Sequence, residues 1–175
     1  MKNILLLCML AVTLSCCNKN DDQPANPIDQ LPPATQTGAN TFGCLLDGEV
    51  FLPDNLPNST NCFYQLVNGG YYFTVRATNY QSDLKVISIK TAQLQIAEGL
   101  TYNLYEEYIS GNAFGNYTFN SNENYTSHTN TGELTITKLD FDNNIVSGTF
   151  FFDIEDQNGV VHEIREGRFD MQFTQ

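Results

Sequence analysis

From Thr41 onward, apolar and polar residues alternate with a period of two, not with the three-to-four spacing of a helix. Residues 42–46 and 50–52 flank Asp47-Gly48, a pair whose tolerance of positive φ suits a two-residue hairpin turn. Residues 62–67 and 71–78 flank Asn68-Gly69-Gly70 in the same way, with Tyr71, Phe73, Val75 and Ala77 on one face. Residues 84–90 form another β-branched run, and 134–139, 145–154, 160–164 and 168–173 follow. The last four are separated by residues 140–144, by Gln157-Asn158-Gly159 and by Glu166-Gly167. In 145–154, Val146, Gly148, Phe150, Phe152 and Ile154 make a core face, while Ile145, Ser147, Thr149, Phe151 and Asp153 make a mixed one. That pattern predicts a central strand. Only residues 92–98 could form a helical turn. The expected fold is all-β, an antiparallel β-sandwich or flattened barrel with hairpin and meander connections.

The pattern before Thr41 is of another kind. Lys2, an apolar run over 4–14 and small Ser15 immediately before Cys16 match the three parts of a secretory signal that ends at a cysteine. This resembles a bacterial lipoprotein signal. The run is shorter than the ~20 residues a spanning helix needs, so residues 1–15 read as a removed leader. Cys16 is the expected lipidation site, with Cys17 as the alternative; acylation there would anchor the chain to a membrane without crossing it. Residues 16–40 carry four prolines and few large apolar side chains, the composition of a flexible tether. A flexible chain of that length holds a domain about 25–30 Å from its anchor. Asn18 to Asp22 resemble the Lys-then-acidic signal of surface-exported Bacteroidetes lipoproteins. An ordinary solvated linker explains the same residues, so the periplasmic and cell-surface faces of the outer membrane both stay open.

Residues 41–175 form one expected domain, large enough for a single core. The formal charge is −12, and loss of Lys2 with the leader makes the mature chain −13. So few basic residues argue against nucleic acid, whose binding rests on Lys and Arg neutralising phosphates.

Residues 41–51, Thr-Phe-Gly-Cys-Leu-Leu-Asp-Gly-Glu-Val-Phe, resemble the opening of an uncharacterised family of small Bacteroidetes lipoproteins. Residues 134–140, 145–150 and 166–170 resemble the same family's C-terminal all-β domain of unknown function. The resemblance implies an envelope location and β architecture, and it brings no catalytic residue.

Cys44 and Cys62 each lie near the start of an expected strand. In an oxidising compartment a Cys44–Cys62 disulfide would stabilise the fold by roughly 3 kcal/mol through loop closure; two buried free thiols are the alternative. The histidines are His128, beside Ser127 in a polar loop, and His162, inside a strand. Adjacency along the chain does not create a base-to-nucleophile geometry, and no hydrolase or phosphate-loop motif occurs, so no catalytic residue and no cofactor is expected. The carboxylate pairs Glu106-Glu107, Asp140/Asp142 and Glu155/Asp156 read as solvated surface. Residues 140–144 begin like a calcium loop, but Ile145 and Phe151 stand where a calcium hand needs Gly and Glu, so a hairpin turn is expected there and no metal.

Tyr102, Tyr105, Tyr108, Tyr117 and Tyr125, with Phe114 and Phe119, crowd a Gly- and Asn-rich stretch. Exposed tyrosines beside Asn side chains suit a glycan or peptide ligand, whereas the same rings buried would close the ends of the core. The sequence thus predicts a lipid-anchored, non-catalytic binding or structural module of the cell envelope. The alternative is a glycan- or peptide-binding surface lipoprotein using those tyrosines, and a hydrolase is the weaker reading.

Overall fold

The computed structural model describes residues 26–175. The leader, Cys16, Cys17 and the Asn18 to Asp22 signal lie outside them. Eleven strands follow in order: β1 (Thr41–Leu46), β2 (Glu49–Phe51), β3 (Thr60–Val67), β4 (Gly70–Asn79), β5 (Lys85–Thr91), β6 (Thr101–Leu104), β7 (Ala113–Phe119), β8 (Asn122–Tyr125), β9 (Gly132–Asp140), β10 (Ile145–Glu155) and β11 (Val161–Gln172). They form one sheet in the order β2-β1-β11-β10-β9-β6-β7-β5-β4-β3, with β8 attached to β7 off that path. All pairings are antiparallel except a single parallel contact between β6 and β7, Leu104 opposite Ala113.

The sheet curls until its far edge meets the chain beyond β11. Phe63 on β3 bridges Thr174: the Tyr64 amide donates to the Thr174 carbonyl at 2.9 Å, and the Thr174 amide donates to the Cys62 carbonyl at 3.1 Å. The all-β expectation holds, in the form of a flattened, nearly closed barrel. Inside it lie Phe42, Phe73, Val75, Ile87, Ile89, Leu134, Ile136, Phe152 and Ile164, each at most 2% exposed. Each buried side chain of this size contributes about 1.5–3 kcal/mol of transfer free energy. The core face expected of β10 is the buried one. Gly148 belongs to it because an added Cβ would lie 2.5 Å from the Thr135 carbonyl oxygen and 2.7 Å from the Phe169 ring.

Three features differ from the sequence expectation. First, Glu166-Gly167 is not a turn; β11 runs through it, and the register shifts against both β1 and β10 on either side. Glu166 adopts φ 55, so the pair supplies a bulge that bends the strand. Second, the aromatic stretch, read from the sequence without strands, supplies β6, β7 and β8, while residues 92–98 stay irregular.

Third, residues 26–40, expected as part of the tether, lie against the sheet. A 3-10 turn at Pro27–Gln30 is capped by the Asn26 side chain, Leu31 is buried and Pro32 covers Gly43. The strap is then held by Asp170, on the outward face of β11 and 0% exposed. Its carboxylate accepts from the Thr35 hydroxyl (2.6 Å), the amides of Thr37 (2.9 Å), Gly38 (2.7 Å) and Ala39 (3.2 Å), and the Ser147 hydroxyl (2.8 Å). Composition hid this, because a polar, proline-rich segment cannot form its own core yet can offer its amides to a buried charge.

Burial alone would raise the Asp170 pKa, but the bonds from Thr35, Thr37, Ser147 and Gly38 outweigh it and hold the carboxyl well below the usual carboxylate range. Its contribution is therefore fully present above the unfolded pKa of about 4 and is lost as pH falls toward the depressed folded value. Asp170→Asn should lower stability by about 2–3 kcal/mol at pH 7 and flatten the acid limb of the pH–stability curve. Urea unfolding from pH 7 to pH 2 measures both, and an acid limb identical to that of the parent protein would contradict the assignment.

Candidate functional site

The five tyrosines proposed from sequence separate into distinct settings. Tyr102 packs against the core, and its hydroxyl accepts from the Ala97 amide at 2.8 Å. Tyr105 is half-buried with its ring 5.7 Å from that of His128. Tyr108 sits at φ 54 in the β6–β7 loop and is 66% exposed. Its ring lies 5.2 Å from buried Phe114 and 6.0 Å from Tyr125, and Phe114 and Tyr125 are 6.2 Å apart. A bulky residue in the left-handed region is unfavourable, so the surrounding contacts hold the Tyr108 ring in place. The Tyr125 hydroxyl donates to the Glu123 carboxylate, and burial followed by that bond pushes it upward. Burial, then the charge of Glu123, also raises Glu107. The result is a three-ring patch bordered by carboxylates on the outer face of β7 and β8.

Tyr117 faces the other way. On a strand, alternate side chains point to opposite faces, and Tyr117 and Phe119 share the inner side with Asn124 and Asn122 of the paired β8. Tyr117 is 3% exposed, with its ring 5.1 Å from that of His162 in edge contact. Burial, with Asp47, Asp83 and Asp156 adding to it, pushes its hydroxyl up to about 12. It therefore stays a neutral donor at pH 7.

His162 is fixed through one ring nitrogen. Its Nδ1 lies 2.7 Å from Asp47 Oδ2, while Asp47 Oδ1 accepts from the Glu163 amide at 2.8 Å. A carboxylate can only accept, so Nδ1 carries the proton and Nε2 faces Asp156 Oδ2 at 3.9 Å. Asp156 is in turn occupied by the amides of Asn158 and Val160, both at 2.8 Å; the Val160 bond foremost holds its pKa below the usual value. Asp47 entered the sequence reading only as a hairpin residue. Its role depends on β1 pairing with β11, a contact between chain segments more than a hundred residues apart that local patterning does not encode.

Around this group open two hollows of about 200 and 420 Å³ that share Tyr117 and Phe119 as walls. A larger one of about 580 Å³ lies on the outer face near Phe151, Arg165 and Arg168. There the arginines are already paired, Arg165 with Asp153 (2.6 Å) and Glu163 (3.2 Å), and Arg168 with Glu166 (3.3 Å).

Ser127 and His128 turn to different partners: Ser127 Oγ lies 3.1 Å from Thr129 Oγ1, and His128 pairs with Glu106 at 3.2 Å. Asp140 closes its own turn, accepting from the amides of Asp142 and Asn143 at 3.0 Å, which is the hairpin expected there. Among the described residues no cluster of three or more His, Cys, Asp or Glu is arranged to hold a metal. The Cys44–Cys62 disulfide is not formed; both are buried free thiols, and burial pushes each far above the usual thiol range. Cys44 sits on β1 and Cys62 on β3, strands that do not pair with each other. No family model, curated protein or solved structure matches the chain.

Two protected thiols make a clear forecast. Iodoacetamide under native conditions should leave Cys44 and Cys62 unmodified, and in denaturant without reductant it should label both. Peptide mapping by mass spectrometry reads this directly, and a disulfide-linked pair of peptides would be the opposite result.

Proposed function

We propose that the chain is a lipid-anchored, extracytoplasmic module of the cell envelope that binds a glycan without transforming it. The leader ending at Ser15-Cys16 supports the anchor, and the excess of acidic over basic residues, net charge −13 after leader removal, argues against nucleic acid as partner. The observation that carries the binding reading is the Tyr108 ring, held out at 66% exposure in a strained backbone conformation and backed by Phe114 and Tyr125. Such a surface offers a rigid apolar plane for a sugar ring, and the bordering Glu107 and Glu123 offer acceptors for its hydroxyls. The resemblance to Bacteroidetes envelope lipoproteins agrees with this location.

Two measurements test the two halves of the proposal. Cys16→Ser should move the protein from the membrane to the soluble fraction of expressing cells, and retention in the membrane fraction would remove the anchor. Tyr108→Ala should weaken binding to an envelope- or plant-polysaccharide array about tenfold while leaving the melting temperature unchanged, since the ring is mostly exposed. Unaltered glycan binding, or binding only to peptides, would overturn the ligand assignment.

A further inference from the structure

The sheet has a seam. β8 pairs with β7 along one edge only, and the sheet order passes from β7 through β6 to β9 without it. Its free edge faces the end of β10 and the turn into β11, so the barrel wall opens there. One lip carries Phe119, Asn122 and Asn124; the other carries Asp156, Gln157, Asn158 and His162, with Tyr117 as the floor. The enclosed volume, about 200 Å³, is below the ~300–1,000 Å³ of drug-sized sites, a fit for one small ring. The neighbouring 420 Å³ hollow, reached past the same two aromatic walls, leaves room for a second unit.

Tyr117 is 97% buried as a residue, but its hydroxyl is not among the buried polar atoms left without a partner; it bonds to no group among the described residues and opens onto the hollow, where a ligand can meet it. It reaches the wall of both hollows. The charged groups beside it are already satisfied: Asp47 by His162 and the Glu163 amide, Asp156 by the amides of Asn158 and Val160. Asn124 donates to the Tyr117 and Asn122 carbonyls. In the 200 Å³ hollow the side chains left without a partner are neutral, the Tyr117 hydroxyl and the carboxamides of Asn122 and Gln157, while the neighbouring hollow adds one charge of each sign, Glu49 and Lys85. A cationic ligand would find no unpaired carboxylate in the smaller hollow, and an anionic one would meet Asp47, Asp83 and Asp156. A neutral ring bearing hydroxyls meets the remaining donors and acceptors and stacks on Phe119, which is 38% exposed.

We propose that the β8–β10 seam is a saccharide pocket that takes a single neutral sugar ring, with the Tyr117 hydroxyl donating to one ring hydroxyl, Asn122 and Gln157 framing others, and Phe119 covering one face. This site lies on the opposite face of β8 from the Tyr108 patch and stands whether or not that patch binds glycan.

Isotope-labelled protein titrated with the methyl glycosides of glucose, galactose, mannose and N-acetylglucosamine tests it by NMR. At least one glycoside should produce saturable shifts at the Tyr117 ring and at the Asn122 and Gln157 carboxamides. Tyr117→Phe should keep the melting temperature, because the hydroxyl it removes bonds to nothing in the protein, and should weaken that sugar about tenfold. Phe119→Ala should weaken it similarly, and Leu66→Ser on exposed β3 should not. The proposal fails if no glycoside gives saturable shifts at these groups, if glycerol gives the same ones, if Tyr117→Phe binds like the parent, or if that variant melts several degrees lower. Shifts confined to Tyr108 and Tyr125 would sink the pocket and leave the patch standing.

Discussion

The Asp170 carboxylate is the interaction on which the layout of this domain depends. A charge on the outward face of a strand would ordinarily be solvated, yet here it is fully buried, and it is tolerable only because three hydroxyls, those of Thr35, Thr37 and Ser147, and three amides converge on it. Five of those donors belong to residues 35–39 and one to Ser147 of β10. A single anion therefore ties the segment before β1 to the two longest strands. Without it the strap would present a run of backbone amides to a dry surface.

The other organising constraint is the incomplete closure of the sheet. On one side the chain beyond β11 meets β3 through Thr174, so that edge is sealed by backbone hydrogen bonds. On the other side β8 stops after four residues and leaves its outer edge unpaired. Short edge strands guard against aggregation, and this one also leaves an opening onto Tyr117 and His162. The pocket and the aromatic patch are thus two faces of one hairpin: inward residues line the seam, and outward residues build the rings.

Much of the fold was legible because the side-chain period of a strand is short and local. The Asp47-Gly48 and Asn68-Gly69 turns, the buried face of β10 and the turn at residues 140–144 all follow from neighbouring residues. Glu166-Gly167 misled because a residue in the left-handed region followed by glycine serves a bulge as well as a turn, and only the pairing of β11 with both neighbours decides between them. The strap misled because its stabilising partner is an aspartate 130 residues away. The site was partly visible: aromatic crowding drew attention to Tyr108, Tyr117 and Tyr125, but their division between two faces needed the β7–β8 register. Phe119 belonged to that crowding, but Asn122 and Gln157 carried no signal of their own, since each is an ordinary turn or strand-end residue until the seam sets them opposite one another.

The pairing of β1 with β11 bears on how the chain reaches this state. The first strand finds its long partner only in the last, and the core side chains of β1 wait on the same event. Contacts of such sequence separation make folding slow, because loop entropy must be overcome before the β1–β11 pairing can repay it. The early hairpins β3–β4 and β9–β10 can form locally, but the sheet has no complete edge-to-edge order until residues 161–172 are delivered. A chain that must arrive whole before it can close keeps its edges open until its synthesis is finished.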